Sequence, residues 1–246
     1  MLSLDARKFI EVINTLIDQG LQCKTATGNM HSDRKISVEK GIVETITRLE
    51  ALDLPVSIKI AKNVVSGCNT FEELNRGVEC LLNTIMSELD GRKFYGPILG
   101  YQKYHDKSQM FGLEVFNNFH SANDDIFEAG MCLAFERGTA AVMHLNRVVE
   151  VGLRALAKAV QVDKQNDWGR YISEIDKELA ARMKKSGARS LDEQFYAEAA
   201  ATIDHMRRAW RNPTMHPDHS YSHERAEEIL LSVKSFMSHL ATRLAE

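Results

Sequence analysis

Proline is scarce in this sequence, with four in 246 residues: Pro55, Pro97, Pro213 and Pro217. Runs of cleanly alternating β-branched and aromatic residues are scarce too. Both shortages argue against strands and for an all-α protein. Cysteine is sparse and scattered: Cys23, Cys68, Cys80 and Cys132 form no CxxC pair. They read as reduced, mostly buried thiols of a cytosolic protein. No apolar run is long enough to span a bilayer. Met1-Leu2-Ser3-Leu4-Asp5 has no basic segment leading into an apolar one, so no signal peptide is expected. Excess positive charge is missing as well. Lys and Arg total 31 against 34 Asp and Glu, a formal charge of −3. No global field draws the chain to nucleic acid, and any RNA or DNA site must be a local patch. The expectation is a soluble, cytoplasmic protein with no membrane contact.

What is present is helical pattern. The length allows one large domain or two small ones. Leu4, Phe9, Ile13, Leu16 and Ile17 fall at helical spacing over 4–22. A polar loop, expected to be mobile, covers 23–35. A second helix is predicted over 37–53, stopping before Pro55, and a short one over 56–65. Thr70-Phe71-Glu72-Glu73 is a capping box opening a helix to about 90, which Gly91 ends. Residues 91–120 are the least regular, with glycines at 91, 96, 100 and 112 among aromatics. This stretch reads as a linker that packs, with a short strand or two. The predicted division is an N-terminal helical region at 1–95, a linker at 96–121 and a helical bundle at 122–246.

The C-terminal part is patterned most strongly. Helix is predicted over 122–161, chiefly 130–161, and again over 167–185. Ser190-Leu191-Asp192-Glu193 is a second capping box. It opens a helix to Trp210 whose apolar stripe is Leu191, Phe195, Ala199, Ile203, Met206 and Trp210. Ser222 caps a last helix that buries Ala226, Ile229, Leu230, Val233, Phe236, Leu240 and Leu244. The sum is roughly a four-helix bundle.

The helix-breaking residues gather at one place, Arg211-Asn212-Pro213-Thr214-Met215-His216, followed by Pro217. Arg keeps its proton and His changes charge near neutral pH. One can hold a phosphate while the other moves a proton. Pro213 is expected to push Asn212 out of helical angles, and Pro217 to do the same to His216. Arg211 then ends one helix and His216 sits in the turn before the next. Arg207, Arg208 and His205 lie about one turn earlier and make this end the local basic patch. The competing reading is that Arg211 caps its helix and His216 fills a turn. A second polar stripe, His144, Arg147, Glu150 and Arg154, recurs at steps of three or four beside an apolar face of Leu145, Val148, Gly152 and Leu156. It can support a site. Its plainer role is ordinary buried hydrogen bonding, with Glu150 as the ion partner of His144 and Arg147. His219 and His223 have zinc-ligand spacing, but Pro217 and Ser222 set them astride a helix start, so no metal site is expected.

An Arg-Asn and a His at the junction of the last helices of a small bundle resembles the HEPN superfamily. The segments 128–134 and 144–156 resemble a group of bacterial HEPN-like proteins, and the likeness covers about 122–246. It implies a metal-independent endoribonuclease without cofactor, of the toxin or antiviral kind. Two protomers would bring their motifs together across a homodimer interface, and a neutralising or regulatory protein partner is possible. His216 would be the general acid or base, Arg211 would stabilise phosphate and Asn212 would orient the site. His144, Arg147 and Glu150 would support it, and Arg207 and Arg208 would bind RNA. The alternative is an inactive HEPN-like module for RNA or nucleotide binding, or for protein docking.

Overall fold

A computed structural model of the chain describes residues 9–11, 13–18, 32–93, 95–97 and 99–246. The protein is all-α, and among the described residues there is no strand. It divides into two compact units, Met1–Phe94 and Tyr95–Glu246. No helix of the described residues is long and apolar enough to cross a membrane.

In the first unit, residues 9–11 and 13–18 are helical. The remainder of the predicted first helix, and residues 23–31 of the predicted loop, lie outside the described residues. Positions 32–35, expected in that loop, instead open α1 (Ser32–Glu50), followed by α2 (Pro55–Gly67) and α3 (Phe71–Leu89). The Thr70 capping box forms as predicted. The Thr70 hydroxyl accepts from the Glu73 amide, and Glu73 accepts from the Thr70 amide in return. Leu16, Ile42, Leu49, Leu54, Leu81 and Ile85 centre the core. Pro55 starts α2 because a first-turn residue needs no amide hydrogen. The free amides behind it are satisfied from α3, where Glu88 accepts from the Val56 amide at 3.0 Å and from the Ser57 amide at 2.6 Å. Burial works against the Glu88 carboxylate, yet bonds from Ser57 and Val56 and the Arg92 charge hold it below its usual range. Three of the thiols are less buried than expected: Cys80 on α3 is exposed, and Cys68 and Cys132 are half-buried; Cys23 lies outside the described residues.

The second unit contains α4 (Leu113–Asn118), α5 (Asn123–Ala134), α6 (Gly138–Val160), α7 (Trp168–Ser186), α8 (Leu191–Met206), α9 (Asn212–Thr214) and α10 (His223–Ala241). The segment read as a linker packs here. Tyr104, Phe111, Val115 and Phe119 are core residues, and a 3₁₀ turn (Gln102–Tyr104) and α4 stand where short strands were expected. The long helix expected over 130–161 is broken at 135–137. Glu136 takes a left-handed φ of 57°, and the Arg137 amide reaches back to the Cys132 carbonyl at 2.8 Å, a closure that ends a helix. From Gly138 onward α6 is the hub, packed on α5, α7, α8 and α10. Leu145, Val148, Leu153, Leu156 and Val160 are fully buried on it, each worth roughly 1.5–3 kcal/mol on transfer from water. At Gly152 an added Cβ would lie 2.8 Å from Leu240 Cδ1, so α6 and α10 touch closely there. Every apolar position predicted for the last helix is buried. On α8 the stripe holds except at Leu191, which is 74% exposed because it lies in the first turn, beyond the packed face.

Glu88→Gln removes the charge and one of the two acceptor oxygens from the cap of α2 and is expected to cost the first unit about 1 kcal/mol, read by urea unfolding. The folded pKa is lowered, so this stability is present above the unfolded carboxyl value and lost as pH falls through the folded one. The wild-type advantage over Glu88→Gln should therefore shrink in acid. A constant gap at every pH would remove the charge from the explanation.

Candidate functional site

Helix α8 does not end in a simple stop. Arg207–Arg211 forms a π turn, and the Asn212 amide bonds the Arg207 carbonyl, five residues back. The reason lies one residue on. A proline in an α-helix donates no amide hydrogen and its ring strikes the carbonyl four residues earlier. A widened turn gives that ring room. Asn212 accordingly keeps helical angles, φ −65° and ψ −49°, and Pro213 sits inside the single turn α9. The expectation that Pro213 drives Asn212 out of helical backbone is overturned: the strain is taken up upstream, by the π turn.

The Trp210 carbonyl is served by side chains. The buried Thr214 hydroxyl donates to it at 2.5 Å and the Tyr221 hydroxyl approaches at 3.3 Å. Tyr221 is anchored in turn, its amide donating to Thr139 Oγ1 at 2.9 Å in the first turn of α6. A Cβ on Gly138 would lie 2.4 Å from the Tyr221 carbonyl oxygen and 2.7 Å from that of Ser222. The joint between α8 and α10 is thus pressed, backbone to backbone, on the start of the central helix. The Ser222 hydroxyl then accepts from the Arg225 amide and caps α10, as predicted.

On this joint Arg211 and Asn212 are half-buried and His216 is exposed. His216 lies two residues past α9, its amide on the Pro213 carbonyl at 3.0 Å. Among the described residues, the side chains of Arg211, Asn212 and His216 have no hydrogen-bond or ion-pair partner. Their neighbours differ. Arg207 bonds Asp204 Oδ1 through Nε at 3.0 Å and Nη2 at 2.8 Å, and Arg208 bonds Asp204 Oδ2 at 2.5 Å. Burial opposes the Asp204 charge, but these bonds hold its carboxyl below the usual range. Asp176 on α7 is raised, first by burial and then by the Asp204 charge. The His205 ring stands edge-on to Trp210 at 6.5 Å. One carboxylate thus engages two guanidiniums of the expected basic patch and offsets one of their two charges.

The second stripe meets a partner that the sequence reading missed. His144 Nδ1 lies 2.9 Å from Asp125 Oδ1, and Arg147 Nε donates to both Asp125 oxygens at 2.8 and 2.9 Å. Asp125, on α5, is 9% exposed. Glu150 is not their ion partner. It accepts from Arg154 at 2.5 Å and from the buried Trp168 indole N–H at 3.1 Å. The stripe thus ties α5 and α7 to the hub. His219 lies in the joint and His223 opens α10 with Nε2 2.9 Å from Glu224. Among the described residues, no group of three or more His, Cys, Asp or Glu could hold a metal ion.

Comparison of the chain with protein-family models, curated proteins and solved structures finds no match.

Gly138→Ala sets a methyl against two backbone oxygens that cannot swing away. Overpacking of this kind costs roughly 1–3 kcal/mol. Gly100→Ala, with nothing within 4 Å of the added carbon, should be close to neutral. Urea midpoints of the two variants check this, and equal midpoints would mean the joint gives way freely.

Proposed function

We propose that the Tyr95–Glu246 unit is a metal-independent endoribonuclease of HEPN type. It works as a cytoplasmic homodimer in bacterial defence or as a toxin. The observation that supports this reading is selective freedom at the joint. Arg207 and Arg208 are committed to Asp204, while Arg211 and His216, five positions apart, have no hydrogen-bond or ion-pair partner among the described residues. A guanidinium and an imidazole left free on one short joint suit a phosphodiester better than they suit a fold.

RNA brings its own nucleophile. An imidazole of one His216 takes the 2′-hydroxyl proton, and the 2′-oxygen attacks phosphorus. Arg211 stabilises the charge that builds on the phosphorane. The P–O5′ bond breaks and a protonated His216 donates to the leaving oxygen. The products are a 2′,3′-cyclic phosphate and a 5′-hydroxyl. One imidazole cannot easily do both tasks at once, so a C2 pair of joints, supplying two, completes the site. Asn212 orients the phosphate. His144, Arg147 and Glu150 support the site through the bundle.

The test is cleavage of end-labelled RNA in EDTA. Wild type is expected to leave cyclic-phosphate ends, and His216→Ala and Arg211→Ala to lose on the order of 10²–10⁴ in rate. RNA that binds but stays intact would overturn the enzyme reading in favour of an inactive binding module. Asp204→Asn releases two guanidiniums. Single-stranded RNA should then bind several-fold tighter at low salt, with a salt slope steeper by about one or two phosphate contacts. An unchanged slope would remove Arg207 and Arg208 from the RNA path.

A further inference from the structure

The second unit carries a basin that the joint does not use. It has a volume of about 410 Å³ and is lined by the segment 103–110 and by Lys234 of α10. That is the small end of ligand pockets. Three lysines line it, Lys103, Lys107 and Lys234.

The segment is held at several points. Tyr104 and Phe111 are buried in the core, at 8% and 4% exposure. A Cβ on Gly130 would come within 2.9 Å of the Tyr104 carbonyl oxygen and 3.2 Å of Met110 Sδ. The His105 ring meets the Phe135 ring at 6.0 Å. The wall therefore exists before any ligand arrives, and a ligand need not order it.

The charges do not cancel. Lys103 Nζ lies 2.7 Å from Glu227 Oε1, so that pair is neutral. The Tyr104 hydroxyl donates to the same carboxylate at 2.5 Å. Burial and Glu227 push the phenol up to about 12, so Tyr104 adds no negative charge. Lys107 and Lys234 have no hydrogen-bond or ion-pair partner among the described residues, and Lys234 is half-buried. Among the described lining residues the acidic one is Asp106, and 2 − 1 leaves +1. Ser108 and Gln109 add neutral hydrogen-bonding groups. An ammonium without a partner gains a charge-assisted hydrogen bond from an incoming oxyanion.

We infer that this basin binds a small phosphorylated ligand, its phosphate seated between Lys107 and Lys234. Phosphate here is the recognised chemistry, and it is independent of RNA cleavage at the joint.

The experiment follows backbone amide shifts of the full chain at low salt while inorganic phosphate or pyrophosphate is added, with chloride at matched ionic strength as control. Saturable shifts are expected over 103–110 and around Lys234. Lys107→Gln and Lys234→Gln should each weaken binding about 5-fold, the worth of one exposed ion pair. Asp106→Asn should tighten it, and Lys158→Gln at the end of α6 should change nothing. The inference is overturned if chloride gives the same shifts. It is overturned equally if neither lysine substitution weakens binding, or if a single-stranded oligonucleotide saturates the basin while phosphate and pyrophosphate do not. Loss of ribonuclease activity in His216→Ala leaves every one of these outcomes readable.

Discussion

Pro213 has no amide hydrogen to give, and the last joint of the chain is arranged around that deficit. Without it, the stretch 207–214 could keep a regular α-helical ladder. With it, the helix widens over Arg207–Arg211, and beside that turn the Trp210 carbonyl accepts from the Thr214 and Tyr221 hydroxyls. Arg211 and Asn212 come to the edge of the bundle, and His216 follows beyond it. The π turn is thus the structural source of the candidate site, consistent with the tendency of such turns to occur where helices serve a function.

The central helix explains why the joint keeps its place. α6 is apolar around most of its circumference because α5, α7, α8 and α10 all rest on it. Its polar remainder is tied off by Asp125, Trp168 and Arg154. Its first turn offers Thr139 and a side-chain-free Gly138, and the joint settles on both.

Local signals were legible in the sequence, and partners across space were not. Both capping boxes, the Ser222 cap and the stripe of α10 follow from spacing within one helix. The pairing of Asp204 with Arg207 and Arg208 was equally available, since steps of three and four share a face. Asp125 was not available, because nothing in its own neighbourhood marks it as the anchor of residues 19 and 22 positions later. The π turn also escaped. The rule that a residue before proline avoids helical angles is a local preference, and here a wider upstream turn overrode it. The aromatic, glycine-rich stretch 96–121 looked like a connection because its burial comes from distant helices. Tyr104 answers Glu227, and Phe119 fills a core made mostly of later residues.

The Trp210 carbonyl has a further consequence. Two of its neighbours are hydroxyls from residues that follow it, and one of these, Tyr221, is itself fastened to the opening turn of α6. Hydroxyl bridges of this kind link three backbone segments that no single helix ladder connects. Fraying therefore cannot stay confined to one of them: release of the tyrosine loosens the widened turn and the α6 entrance together. The static bonds thus couple this corner as one patch, of the kind that opens as a unit below the free energy of global unfolding.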